Sequence, residues 1–311
     1  MESCAESLVQ EFRPESLGLN HDNPSDFVKP QWPINQKIYV AYRLIIAAGM
    51  VGWIISDVMY ETEVFYSDRR WLYLIYATNW SFILLGLTAI VQAICVTFYS
   101  CRTDWTLDTA SNNSTNSGVQ DRQTFERMPR SLKFQWGLQN LSYNSAVVVT
   151  ISYWGFLTFL DTSKILTSDM SRLKHTLNTT YVVLDLLISA SPIRLLHMLF
   201  AIMLGSIYSL FNAIYFLNDG TILQGRHYAY NVLNWENPAE AIVTCVLCIV
   251  QAILSQFILY EIYKLRSWIF SKTYFDMAAS RDGSEMQSIM ADSPKYMTLD
   301  EKRDAEEHVT Q

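Results

Sequence analysis

The sequence predicts an all-α protein, a six-transmembrane-helix bundle. Three observations carry that expectation. Six long apolar runs occupy about half of the 311 residues, and a helix of roughly 20 apolar residues crosses a bilayer core ~30 Å thick. The runs are continuous rather than alternating, and in hydrocarbon every backbone amide must be satisfied internally, so helices are favoured over barrel strands. Hydrophobic residues make up 50%, aromatics 14% and charged residues 17% of the chain, the last below the ~25% of a soluble domain.

Residues 1–37 hold Pro14, Pro24, Pro30 and Pro33 and read as an extended cytosolic lead-in. Glu2, Glu6, Glu11 and Glu15, with no apolar core before Ile38, do not fit a cleaved signal peptide. The first run therefore reads as an uncleaved anchor. The membrane domain is expected over 38–266, with helices at Ile38–Tyr60, Trp71–Tyr99, Tyr143–Leu160, His175–Ala190, Ile193–Leu217 and Ala239–Tyr263. Polar residues interrupt the third and fourth. Between the second and third runs, residues 103–130 contain Ser-Asn-Asn-Ser-Thr-Asn-Ser-Gly at 111–118 and read as a flexible loop. Residues 267–311 read as a disordered acidic cytosolic tail. Rings such as Trp71, Tyr73, Trp154, Trp235 and Trp268 cluster at run ends, where headgroups lie. No internal repeat supports a transporter built from inverted halves.

Lys and Arg in the short loops set orientation. With the N-terminus in the cytosol, that side holds eleven of them and the opposite side six. Both termini are therefore expected in the cytosol, and the sequons at Asn112 and Asn113 are expected to stay unmodified.

Several function classes are not indicated. The net charge is −7 and no basic stripe is present, so no nucleic acid partner is expected. The five cysteines offer no disulfide framework. Cys245 and Cys248 have a zinc-like spacing without further ligands and read as small core residues. Five scattered histidines do not fit the histidine boxes of membrane di-iron enzymes, and nucleophile-elbow and phosphate-loop motifs are missing. No metal or cofactor is expected.

Polar groups inside a membrane are costly, and they face inward. Arg43 lies about one turn inside the first run and reads as a snorkelling side chain. Thr78 and Asn79 stand near the outer end of the second. His175, Asn178 and Asp185 share a face of the fourth. Ser189-Ala-Ser-Pro192 breaks the chain before Arg194 and His197. Thr78, Asn79, His175, Asn178 and Asp185 are thus expected to form one polar pocket, with Asp185 ion-paired to Arg194, its nearest basic residue across the break. In the tail, Tyr274-Phe-Asp-Met277 and Tyr296-Met-Thr-Leu299 fit a tyrosine-based sorting pattern that is also common in merely solvated tails.

Several segments resemble the rolling stone-like membrane proteins: His21-Asp22, Pro24, Phe27 and Gln31-Trp32; Tyr76-Ala-Thr-Asn-Trp80; Asn234-Trp235; and, most strongly, Asp185-Leu-Leu-Ile-Ser-Ala-Ser-Pro-Ile-Arg-Leu-Leu-His197. The resemblance covers roughly residues 20–265. The family's founding name is tied to myoblast fusion in insects. That implies a multi-pass plasma-membrane protein at cell contacts, with membrane lipids and another membrane protein as partners. The family is distantly similar to the androgen-induced and androgen-dependent membrane hydrolases, six-helix threonine hydrolases of fatty acid esters. Thr78 stands where their nucleophile lies, and His175 matches the first histidine of their Asn-His-x-x-His-Thr motif. The second histidine is Asn178 here, which cannot act as general base. Two readings follow: a non-enzymatic, lipid-binding contact or fusion protein, which this loss favours, and a lipid ester hydrolase with Thr78 as nucleophile and His175 as base.

Overall fold

The computed structural model of the chain describes residues 4–67, 69–102, 128–160, 163–222 and 225–279. Its helices are α1 (Cys4–Glu11), α2 (Gln36–Val64), α3 (Ala77–Cys101), α4 (Arg130–Ser152), α5 (Thr158–Leu160), α6 (Lys164–Thr167), α7 (Asp169–Ile188), α8 (Met198–Leu217) and α9 (Pro238–Ala279). Among the described residues there is no named strand. Five helical segments are long and apolar enough to cross a membrane: Gln36–Val64, Ala77–Cys101, Arg130–Leu160, Leu195–Leu217 and Pro238–Thr273. The remaining long helix, α7, is 20 residues long, about 30 Å of helix. Its charged residues, Asp169, Arg172, Lys174 and Asp185, set it apart from the five.

Local chemistry fixes the helix ends. Asn35 caps α2 by accepting from Lys37 N at 2.8 Å, and Ser168 caps α7 by accepting from Ser171 N; both satisfy amides that have no partner within the helix. Pro238 opens α9, where its missing N–H is no loss. Residues Tyr153–Leu157 form a π-helical turn between α4 and α5.

Two expected boundaries move furthest. The third helix begins at Arg130 rather than Tyr143. The added turns carry Gln135, Gln139 and Asn140, all buried, and their polarity hid the helix from a hydropathy reading. α4 packs against α3, α7, α8 and α9. From this central place Asn144 Nδ2 donates to Gln256 Oε1 at 2.7 Å and to Ala252 O at 2.9 Å, and Gln256 Nε2 donates to Arg194 O at 2.8 Å. The last helix runs past Tyr263 to Ala279, so the stretch 267–279, expected as tail, is helix. Side chains on α8 and α9 such as Met203, Leu210, Ile242 and Val246 are exposed, while Asn140, Asn144 and Gln256 are buried. Polar in and apolar out is the arrangement hydrocarbon imposes.

The N-terminal lead-in is not a free extended arm. It contains α1 and two 3-10 turns, Pro14–Leu17 and Pro24–Phe27. Its end pairs with the break after α7. Gln31 N donates to Ile188 O at 2.8 Å, Ala190 N to Lys29 O at 3.3 Å, and Trp32 Nε1 to Leu187 O at 2.8 Å. From α9 the buried Arg266 guanidinium donates to the carbonyls of Leu186, Ser189 and Ser191, placing a cation at a helix C-terminus. The tail residue Tyr296, the sequon asparagines Asn112 and Asn113, and the Tyr274 side chain lie outside the described residues.

Candidate functional site

The structure distributes Asp185, Asn79 and Thr78 of the expected polar pocket over three separate places. The first is a charge cluster where α2, α3, α4 and α7 meet. Arg43 Nη1 lies 2.6 Å from Asp185 Oδ1, with 2% and 0% side-chain exposure. Arg43 also donates to Gln92 Oε1 at 2.9 Å and to the Tyr39 hydroxyl at 2.6 Å. Tyr42 donates to Asp185 Oδ1 at 2.8 Å, and Tyr143 donates to Oδ2. The expected Asp185–Arg194 pair is thereby corrected. The backbone is extended at Arg194 and carries its guanidinium over the Trp136 ring, 5.5 Å from the centroid, while α2 presents Arg43 directly to α7. Arg43 is accordingly a buried ion-pair partner rather than a snorkelling side chain.

The second place lies near the C-terminal end of α2. Lys174 Nζ sits 2.5 Å from Asp57 Oδ2 and 2.8 Å from Glu61 Oε1, all three buried. Asn79 belongs here: its Oδ1 accepts from Lys174 at 2.7 Å and its Nδ2 donates to Tyr73 O at 2.8 Å. Tyr73 and Tyr66 donate to Asp57 and Glu61, each at 2.7 Å. Burial first, and then the neighbouring carboxylates, push both phenols well above the usual tyrosine range, so both remain donors. The sequence reading missed this cluster. Its signal was available: Asp57 and Glu61 are four residues apart on an apolar helix, hence one above the other.

The third place is a cavity of about 350 Å³ bounded by α3, α4, α8 and α9 and roofed by the loop around Tyr230. Of the expected pocket residues, Thr78 lines it; Asn79, His175, Asn178 and Asp185 do not. Thr78 Oγ1 lies 3.3 Å from the Tyr230 hydroxyl. Burial pushes that phenol up to about 12, so it stays neutral. His175 is 1% exposed and stacks on Tyr153 at 3.9 Å between ring centroids, with 7° between the planes. Its Nδ1 has no hydrogen-bond partner, nor has the Oδ1 of Asn178 one turn on. The Thr78 side chain thus meets a phenol, and His175 is held flat beneath a second phenol away from the cavity wall. The separation has a simple cause. Thr78 and Asn79 are neighbours on α3, about 100° apart around a helix of 3.6 residues per turn, so only one of them faces the cavity.

The arrangement can therefore enclose an apolar molecule, but it presents no nucleophile–base pair on the cavity wall. Among the described residues no group of three or more His, Cys, Asp or Glu could hold a metal. The model for Protein rolling stone matches residues 1–281. The chain belongs to the rolling stone family. It is 30% identical over 262 residues to Protein rolling stone of Drosophila melanogaster, covering 84% of this chain and 90% of that one. No solved structure matches. The family and the apolar helices together make this an integral membrane protein of the rolling stone type.

Proposed function

We propose that this rolling stone-type protein crosses the plasma membrane six times, with both termini in the cytosol, and holds lipid between its helices without catalysis. The observation that carries the lipid reading is the cavity among α3, α4, α8 and α9. It lies within the apolar segments, has the size of a small-molecule site, and is walled largely by apolar side chains such as Val148, Phe156 and Ile249. The six-pass reading is supported by α7, which packs against α4 and α9 and keeps Lys174 and Asp185 paired inside the bundle, while Asp169 and Arg172 pair on its exposed first turn. Action at cell contacts or in cell fusion, with a second membrane protein as partner, rests on the family alone.

The hydrolase reading finds no support in this geometry, because the Thr78 hydroxyl is placed beside Tyr230 and not beside a base. A photoactivatable lipid probe applied to the purified protein tests the reading. Crosslinks are expected on α3 and α8 peptides that line the cavity. Crosslinks confined to the outer faces of α8 and α9 would remove it. A fluorophosphonate probe is expected to leave the protein unlabelled, and Thr78-dependent labelling would reinstate the hydrolase. An epitope at Gln311 is expected to bind antibody only after permeabilisation.

A further inference from the structure

We infer that the cavity selects an uncharged lipid alcohol, a sterol or a long-chain alcohol, whose oxygen is held by Ser81 beside Thr78 and Tyr230, and that it rejects fatty acid anions. The inference rests on the lipid-holding reading above and adds the class of lipid. Charge comes first. Among the described residues lining the cavity there is no Asp, Glu, Lys, Arg or His. An ionised carboxylate or phosphate inside would be desolvated with no counter-charge, which a low-dielectric interior strongly disfavours.

The hydroxyls of the wall then locate the polar end. Most are already committed. Ser145, Ser206 and Ser209 each donate to the carbonyl four residues back, Thr244 to Val232 O, Tyr208 to Ile75 O, and Ser152 to Gln251 Oε1. Ser81 differs. It is 3% exposed, it lines the cavity, and its Oγ has no hydrogen-bond partner in the protein. A buried hydroxyl without a partner is costly, and a ligand oxygen in the cavity is positioned to satisfy it. Thr78 lies three residues before Ser81 on α3, so the two share a face, and Thr78 makes only the long 3.3 Å contact to Tyr230. A ligand hydroxyl both donates and accepts, as does each of these three groups. Beyond them the wall is largely apolar, its other hydroxyls being already committed, and it suits a hydrocarbon body.

The test uses the full-length protein in detergent micelles at neutral pH and three diazirine probes: a long-chain alcohol, the fatty acid of the same chain length, and a sterol. The alcohol or the sterol is expected to label cavity peptides at least tenfold more strongly than the acid, and excess unlabelled alcohol is expected to compete on the unmodified protein. Whichever of the two labels more strongly identifies the source. Ser81→Ala is expected to cut that labelling severalfold with the melting temperature unchanged. A side chain at Gly205, in the cavity wall, would meet open space, so Gly205→Leu is expected to abolish labelling by every probe. Equal labelling by acid and alcohol, both lost in Gly205→Leu, would overturn the lipid class while leaving a lipid cavity in place. Labelling that survives both Gly205→Leu and competition would overturn the cavity reading itself. Unchanged labelling of Ser81→Ala would overturn the assigned polar end.

Discussion

The two buried charge clusters solve one physical problem differently. Near the start of α2, one guanidinium meets one carboxylate, Arg43 and Asp185, and four polar side chains, Tyr39, Tyr42, Gln92 and Tyr143, hydrogen-bond to one or the other. Near its end, one ammonium, Lys174, meets two carboxylates, Asp57 and Glu61, and Asp57 Oδ1 is left without a partner. The side-chain chemistry follows the stoichiometry. A planar guanidinium spreads its donors over three neighbours, whereas a compact ammonium is a point charge able to sit between two carboxylates. Charge is balanced in the first cluster and carries one formal carboxylate in excess in the second. Buried ion pairs cost desolvation that their attraction only partly offsets, and removing one partner is far worse than removing both. The two clusters should therefore respond unequally to loss of a single carboxylate.

The largest effect is expected from Lys174→Leu. It leaves two buried carboxylates facing each other and should cost more than the ~5 kcal/mol of a broken simple pair, so monodisperse protein after detergent extraction should be nearly lost. Recovery at normal yield would mean that the second cluster is hydrated rather than sealed. Next, Arg43→Leu should destabilise by ~3–5 kcal/mol, and Arg43→Leu with Asp185→Leu should regain much of that. Arg194→Leu added to Asp185→Leu should regain nothing. A double-mutant cycle on melting temperatures that couples Asp185 to Arg194 rather than Arg43 would reverse the assignment.

A smaller effect distinguishes the clusters most directly. Asp57→Asn removes the excess charge while Glu61 stays with Lys174, and its stability should lie within ~1 kcal/mol of the parent. Asp185→Asn leaves Arg43 unpaired and should cost ~3 kcal/mol or more. Equal losses from the two substitutions would break the comparison. The smallest change is expected outside both clusters. Thr78→Ala removes one long contact to Tyr230 and should cost no more than ~1 kcal/mol, checked by thermal unfolding in the same detergent.

Much of this molecule was legible in its sequence because hydrocarbon imposes a length and a polarity on whatever crosses it. The apolar runs at Ile38–Tyr60, Trp71–Tyr99 and Ala239–Tyr263 each fall largely on an observed helix, and the break at Ser189–Pro192 separates α7 from α8. Asp185 announced itself as a buried charge because a carboxylate in an apolar run must have a partner. Which partner it took was not in the sequence. Proximity along the chain pointed to Arg194, whereas the pairing depends on how α2 packs across α7, a contact between residues 142 positions apart. The start of α4 was hidden for a related reason: Gln135, Gln139 and Asn140 fall outside the apolar run, and they suit a membrane helix only because the surrounding helices bury them. Only the tertiary structure decided that Thr78 and Asn79, adjacent in sequence, serve different places. A helix turns its neighbours to different faces, and the walls that meet those faces come from segments far along the chain.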